Sequence, residues 1–479
     1  MAITKNNPHI RLILLLLAAA LTAWGGPAVV PAYADTSDWI WVTGGTLRQP
    51  RLAPTATLVD LPKAGKGVLL VGGGNETNID PINIWLKEFN TLRTCELYKP
   101  NQTGFLYWQP SLKQSRVLHT ATLLPKTGKL LVVGGLSKEA TPVELPFGIK
   151  IWLPGSISTC ELFDPKNPDG NWTNTQHLSG DRLAHTATLL SKTGKLLVAG
   201  GIQIQLDMKE FFTKLKIKAS VQTLASSELY DPDNGTWSPT AKPLKHSRAL
   251  HTATLLPGGK VLVTGGIQLQ RNYELDLSKY DSKDWTKWVK ITESAIQTLN
   301  SSEIYDPAKN SWDNATSLTQ PRFLHTATLL PKATADISKV LVAGGQSGYG
   351  GNSTIERSCE IYDSKTKTWT LKPDREGLLI PSSQHTATLL SDDRVLLVGG
   401  SVDSYASQIY DPEGDFWTLT YDFLWYPRSW HTATELPNHE ILVAGGGPSN
   451  LCEKYQPPSA SALMQRRISG RAKASLPGD

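Results

Sequence analysis

No stretch of this chain approaches the roughly 20 consecutive apolar residues that a membrane-crossing helix needs. The apolar run from Leu12 to Trp24 is too short, follows Lys5 and Arg11, and leads to Ala32-Tyr33-Ala34, a small-residue cleavage signal. Residues 1–34 therefore read as a signal peptide cleaved after Ala34, and the protein is expected to be secreted or periplasmic with no membrane span. No cysteine follows that point closely enough to carry a lipid. Excess positive charge is also small. The formal net charge of +5 falls to +3 without Lys5 and Arg11, and no Lys/Arg stripe runs along the chain, so nucleic acid is not an expected partner. The one basic cluster, Arg466, Arg467, Arg471 and Lys473, lies in a Ser/Ala-rich end, and residues 459–479 are predicted to be a disordered tail. Missing too are a Ser-His-Asp set, a phosphate loop and a His-Glu zinc helix.

What the chain has instead is a repeat. His-Thr-Ala-Thr begins at His119, His185, His251, His325, His385 and His431, and a seventh copy starts at Pro54. Self-similarity at this period signals a repeat architecture. Around residues 322–369, Arg322-Phe-Leu-His325-Thr-Ala-Thr predicts one strand, Lys339 to the Gly344-Gly345 pair a second, Ser358 to Asp363 a third, and a fourth forms around Trp369. Four antiparallel strands with a Gly pair, a Tyr and a Trp at fixed offsets describe a propeller blade. The Gly pair suits a close approach of neighbouring backbones. After Tyr455 no fourth strand follows, while Trp39-Ile-Trp41-Val-Thr43 precedes the first repeat with Trp41 in the place of Trp312. The predicted fold over residues 35–458 is thus all-β: a seven-bladed propeller whose last blade is closed by the N-terminal strand, with a monomer expected.

Arg-x-x-His-Thr-Ala-Thr, Gly-Gly, Glu-x-Tyr-Asp-Pro and Trp resemble kelch repeats of the variety found in the propeller of galactose oxidase, over residues 38–457. The resemblance implies four-stranded kelch blades, and functions from protein-binding scaffold to enzyme. In the galactose oxidase pattern the last blade opens with Tyr-His, both copper ligands, and a later sandwich domain supplies a further His. Here the pair is Trp430-His431, and indole cannot replace the phenolate, so no cofactor is assigned. The recurring histidines, His119, His185, His251, His325, His385 and His431, read as structural, each satisfying a neighbour across a blade interface, and not as metal ligands. The arginines three residues earlier are expected to pair with third-strand glutamates such as Glu228 and Glu303, with a gap in blade six at Ser382. Cys95, Cys160, Cys359 and Cys452 share one repeat position. Sheets about 10 Å apart exceed the reach of a disulfide, so four buried thiols are expected. Asp231-Pro-Asp233-Asn-Gly235 is read as a turn, not a calcium loop, because Lys242 stands where a bidentate Glu belongs.

The blades differ in their second-to-third connections. Blades one to four insert Asn75–Arg93, Leu136–Ile157, Ile202–Ala225 and Ile267–Asn300, whose alternating stretches predict extended hairpins. Antiparallel order puts them at the same end as the fourth-to-first connections. That face carries the candidate ligand-binding residues Trp85, Trp152, Trp285, Trp288, Trp425, Arg428 and Trp430, aromatics with cations suited to a protein interface or sugar stacking. The expected function is a kelch-type binding protein for a protein or glycan ligand, with no catalytic residue assigned. The alternative is a carbohydrate-active enzyme, a kelch-type sugar isomerase or a galactose oxidase-like oxidoreductase.

Overall fold

The computed structural model describes residues 40–62, 65–74, 90–100, 105–108, 110–144, 150–279, 287, 289–331, 337–349, 352–400, 405–420, 422–447 and 449–456, all within the compact unit Asp35–Asp479. Among the described residues nearly all regular structure is β, with one short α-helix, Phe211–Lys214, and the 3-10 turns Leu277–Lys279 and Asp374–Glu376.

Each His-Thr-Ala-Thr repeat builds a four-stranded antiparallel sheet in chain order. In repeat four the strands are Thr252–Leu255, Val261–Thr264, Ser302–Asp306 and Ser311–Ala315. Six sheets follow this plan, and in a seventh Ile40–Thr46 supplies the fourth strand beside Leu451–Gln456. Trp41 sits opposite Tyr455 with ring centroids 5.1 Å apart, matching Tyr305–Trp312 at 5.2 Å and Tyr362–Trp369 at 5.1 Å. Repeat one departs from the expected pattern: Phe105 takes the ring position beside Tyr98, and Trp108 instead meets Phe163 of repeat two edge-on.

The second strands, such as Leu130-Leu-Val-Val133, are buried on both faces because each sheet is covered on both sides. Seven apolar clusters fill the gaps between consecutive sheets, and one of them joins the first repeat (Val68, Leu70, Phe105) to the last (Leu436, Leu442, Ala444). The first strands lie side by side in order, and Thr432–Glu435 lies beside Thr55–Leu61.

Within each sheet the repeat residues do the joining. At the Gly pair adjacent repeats approach closely: a Cβ on Gly265 (φ +61°) would sit 2.4 Å from the Arg322 carbonyl and 2.8 Å from His325 Cε1. The residue before each His or Pro54 adopts a left-handed conformation in all seven repeats: Ala53, Leu118, Ala184, Leu250, Leu324, Gln384 and Trp430. Such backbone costs about 1–2 kcal/mol per non-glycine residue. It is offset by hydrogen bonds between repeats, running from Ala184 N to Leu118 O (3.0 Å) and on to Trp430 N to Gln384 O (3.0 Å) and Ala53 N to Trp430 O (2.8 Å).

The insertions add a second layer at one end. The hairpins of repeat three (Ile202–Asp207, Lys216–Thr223) and repeat four (Ile267–Asp276, Val289–Thr298) join into a single four-stranded sheet. Repeat two adds the hairpin Leu136–Glu144 with Lys150–Ser156. The inserted sheet is two-faced. Ile204, Val221, Leu206, Ala219, Tyr273 and Leu275 turn toward an apolar cluster that also holds Leu118, Ala249 and Phe323 from the repeat junctions.

Candidate functional site: the hairpin-bearing face

Three features occupy this end of the molecule. The first is the central mouth, a space of about 300 Å³ lined by the histidines, by Pro54 and by the left-handed residues before them. Each imidazole is spoken for across a repeat boundary: His119 Nε2 lies 2.9 Å from Thr55 Oγ1, His251 Nε2 3.0 Å from Thr186, and His431 Nε2 2.8 Å from Thr386. Burial, joined in all but His385 by the neighbouring arginine, holds them far below the usual histidine range, His185 at about 3, so they are neutral hydrogen-bonding groups. Among the described residues, no group of three or more His, Cys, Asp or Glu side chains is placed to hold a metal ion.

Beneath the mouth lie the arginines. Arg51, Arg116, Arg182, Arg248, Arg322 and Arg428 pair with Glu96, Glu161, Glu228, Glu303, Glu360 and Glu453 at 2.5–3.2 Å, all buried. Each arginine also donates to a Gly-pair carbonyl, as Arg248 does to Gly265 O at 2.8 Å. The second Glu oxygen accepts a backbone N–H from the preceding connection, Lys245 N at 2.7 Å in repeat four. The gap expected in repeat six is not a charge defect, because Gln408 replaces the Glu where Ser382 replaces the Arg. Its amide exchanges hydrogen bonds with the Ile380 backbone at 2.9 and 3.1 Å. Both charges are absent together, which leaves neither one stranded. All four cysteines are buried thiols, with Cys95, Cys160 and Cys452 pushed up to about 12 by burial. Asp231 closes its turn, accepting Asp233 N at 3.0 Å on Oδ1 and Gly235 N at 2.9 Å on its carbonyl.

The second feature is a cleft of about 740 Å³ floored by the polar face of the inserted sheet and walled by the repeat-two hairpin. Across the sheet the register places Asp207, Lys218, Glu274 and Lys290 in one row, and Gln205, Ser220, Asn272 and Glu293 in the next. Opposite charges thus alternate from strand to strand, an arrangement that stabilises the pairing. Asp181 lines the same cleft from the repeat-three connection, its carboxyl raised by partial burial. Pairing between the hairpins of two repeats is not legible in either hairpin alone, and so this floor was not foreseen from sequence.

The third feature is a set of exposed rings on repeats six and seven. Trp425 stands in water beside Phe423 and Tyr426, with Tyr405 adjacent: Leu424 N donates to Tyr405 O at 2.7 Å. Of the other candidate residues, Trp85, Trp285 and Trp288 lie outside the described residues. Trp152 is exposed on the repeat-two hairpin, paired across from Pro142. Arg428 is buried with Glu453, one of the six structural pairs. Trp430 packs half-buried on the apolar cluster at the mouth. Among the described candidates, Trp152 and Trp425 are exposed, on different connections, while Arg428 is buried and Trp430 partly so.

These sheets define an all-β protein of the propeller-like class. A copper-bound fungal alcohol oxidase of the AA5 family has a similar fold, with a TM-score of 0.57 and 17% identity over 89% of this chain and 78% of that one. The kelch motif model matches residues 338–375. Kelch-like protein 15 of Danio rerio is 25% identical over 36% of this chain and 25% of its own length. An F-box/kelch-repeat protein of Arabidopsis thaliana is 24% identical over 50% of this chain and 41% of its own. The chain thus spans less than half the length of these relatives. Residues 338–375 thus match the kelch motif, and the relatives that this chain resembles are kelch-like and kelch-repeat proteins.

Proposed function

We propose that the protein is an exported, seven-bladed kelch propeller that binds a protein ligand on its hairpin-bearing face. The seven-bladed closed ring is supported by the apolar cluster joining last repeat to first and by the Ala53–Trp430 hydrogen bond. Export rests on the residues 1–34 signal. Binding rests on one observation: hairpins of adjacent repeats merge into a sheet with its own core, holding a polar cleft of about 740 Å³ in a fixed shape. Repeat function needs no such structure, since repeats six and seven form their sheets without it. Rigid elements carrying a polar, charge-alternating surface suit a protein partner with complementary charges. The kelch relatives are consistent with an interaction role.

The test is capture from extracts of the native host, with the bound protein identified and its affinity measured. Gln205→Arg and Lys218→Gln, both at accessible positions in the cleft, are expected to weaken binding at least tenfold, the first with its unfolding midpoint unchanged and the second with only the small loss that follows from giving up the charge between Asp207 and Glu274. A partner bound equally by both variants sinks the assignment of the cleft.

A further inference from the structure

The seven repeats serve as internal controls for one another. Four residues before the repeat arginine (Ser382 in repeat six), every copy places a buried leucine: Leu47, Leu112, Leu178, Leu244, Leu318, Leu378 and Leu424. In six repeats the next backbone N–H donates to the buried Glu, as Lys113 N does at 2.7 Å and Trp425 N at 2.8 Å. The backbone of this connection is therefore held alike around the molecule, and only its outward side chains differ. Repeat two carries Ser111, Lys113 and Gln114 there, repeat five Ser317, Thr319 and Gln320, but repeat seven carries Phe423, Trp425 and Tyr426. Three rings replace polar residues on a loop that does not need them for folding.

These rings are among the exposed large hydrophobic side chains of the described residues. Phe423, Trp425, Tyr426 and the adjacent Tyr405 are 54%, 57%, 39% and 49% exposed. At about 200 Å² for each aromatic side chain, that leaves roughly 400 Å² of ring surface in water. A standard protein interface needs about 800 Å² per partner, so the patch by itself is too small for a second copy or a folded partner. Protein hot spots also sit in desolvated pockets, whereas these rings are about half open to water. Exposed, flat, rigidly anchored rings match a ligand that stacks by its faces and keeps hydroxyls in water.

We propose that Phe423, Trp425 and Tyr426, with Tyr405, form a stacking platform for a neutral oligosaccharide of a few sugar rings. The site shares no residue with the hairpin cleft, and goes beyond the protein-binding reading. The backbone anchor holds the rings in place before binding, which reduces the ordering entropy a loop would otherwise lose.

The experiment is calorimetric titration of the full-length protein with cellohexaose, xylohexaose, mannohexaose and chitohexaose. A parallel titration uses the F423S/W425K/Y426Q variant, which copies the residues repeat two carries on the same backbone. At least one hexaose is expected to bind wild type in the micromolar to millimolar range. At least tenfold of that affinity should be lost in the variant, whose unfolding midpoint and hairpin-cleft partner binding stay unchanged. Binding by none of the four, or binding retained in the variant, overturns the proposal. So does a variant that instead loses self-association or binding to phosphatidylcholine vesicles, since the rings would then serve a protein or lipid surface. Loss of cleft-partner binding in Gln205→Arg with sugar binding intact separates the two sites.

Discussion

Replacing both members of one buried ion pair should cost less than replacing either alone. In repeat four Arg248 makes four hydrogen bonds, to Gly265 O (2.8 Å), Ser301 O (2.9 Å), Ser301 Oγ (2.9 Å) and Glu303 (2.7 Å). Both side chains are shut off from water. Arg248→Ser strands the Glu303 carboxylate, and Glu303→Gln strands the guanidinium. Breaking a buried pair from one side costs about 3–5 kcal/mol, so independent losses would sum to roughly 6–10 kcal/mol. R248S/E303Q removes both charges and reproduces the Ser382/Gln408 arrangement already present in repeat six. Its remaining cost is that of lost hydrogen bonds, about 2–4 kcal/mol. Urea unfolding followed by tryptophan fluorescence should place the double variant's midpoint at or above those of both single variants. A double variant as unstable as the sum of the singles would refute the electrostatic argument. It would mean that the arginine acts by filling space and donating to carbonyls.

The six buried histidines make stability depend on pH. Their folded-state pKa values lie below the unfolded value near 6.5, with His185 and His385 at about 3, so the stabilisation is fully present above about pH 6.5 and lost as pH falls toward 3. Near pH 5, His185→Gln should reduce the slope of stability against pH by about 1.4 kcal/mol per pH unit, measured from unfolding midpoints across pH 4–7. The four buried thiols should be unreactive toward a disulfide reagent in native buffer, and all four should titrate in denaturant. A rapidly reacting native thiol would contradict their burial. Trp41→Ala, which empties the ring position opposite Tyr455, should destabilise by about 3–5 kcal/mol; a loss under 1 kcal/mol in thermal unfolding would show that the N-terminal strand is dispensable.

Much of the scaffold was legible because each repeat writes the same local physics seven times. Alternation marks the strands, the Gly pair marks the close approach, and Trp41 was placed by matching it to Trp312. Repeat one breaks the pattern, with Phe105 opposite Tyr98 and Trp108 set against Phe163 of repeat two, and no local signal in the repeat announces the exchange. The site was less legible. Trp425 stands out as an aromatic, but its exposure depends on Leu424 turning inward and on Glu453 holding the backbone. Arg428 and Trp430, close in sequence, go to the interior instead.

The sequence by itself determined the repeat, the four-strand unit, the N-terminal strand that completes the last sheet, and the location of the insertions. These follow from periodicity and spacing, which act within one unit. Only the tertiary structure decided that two insertions share a sheet, that seven non-glycine residues turn left-handed to bond repeat to repeat, and that Gln408 answers Ser382. Each of these arises where separate parts of the chain meet, and there geometry and desolvation, not local pattern, select the arrangement.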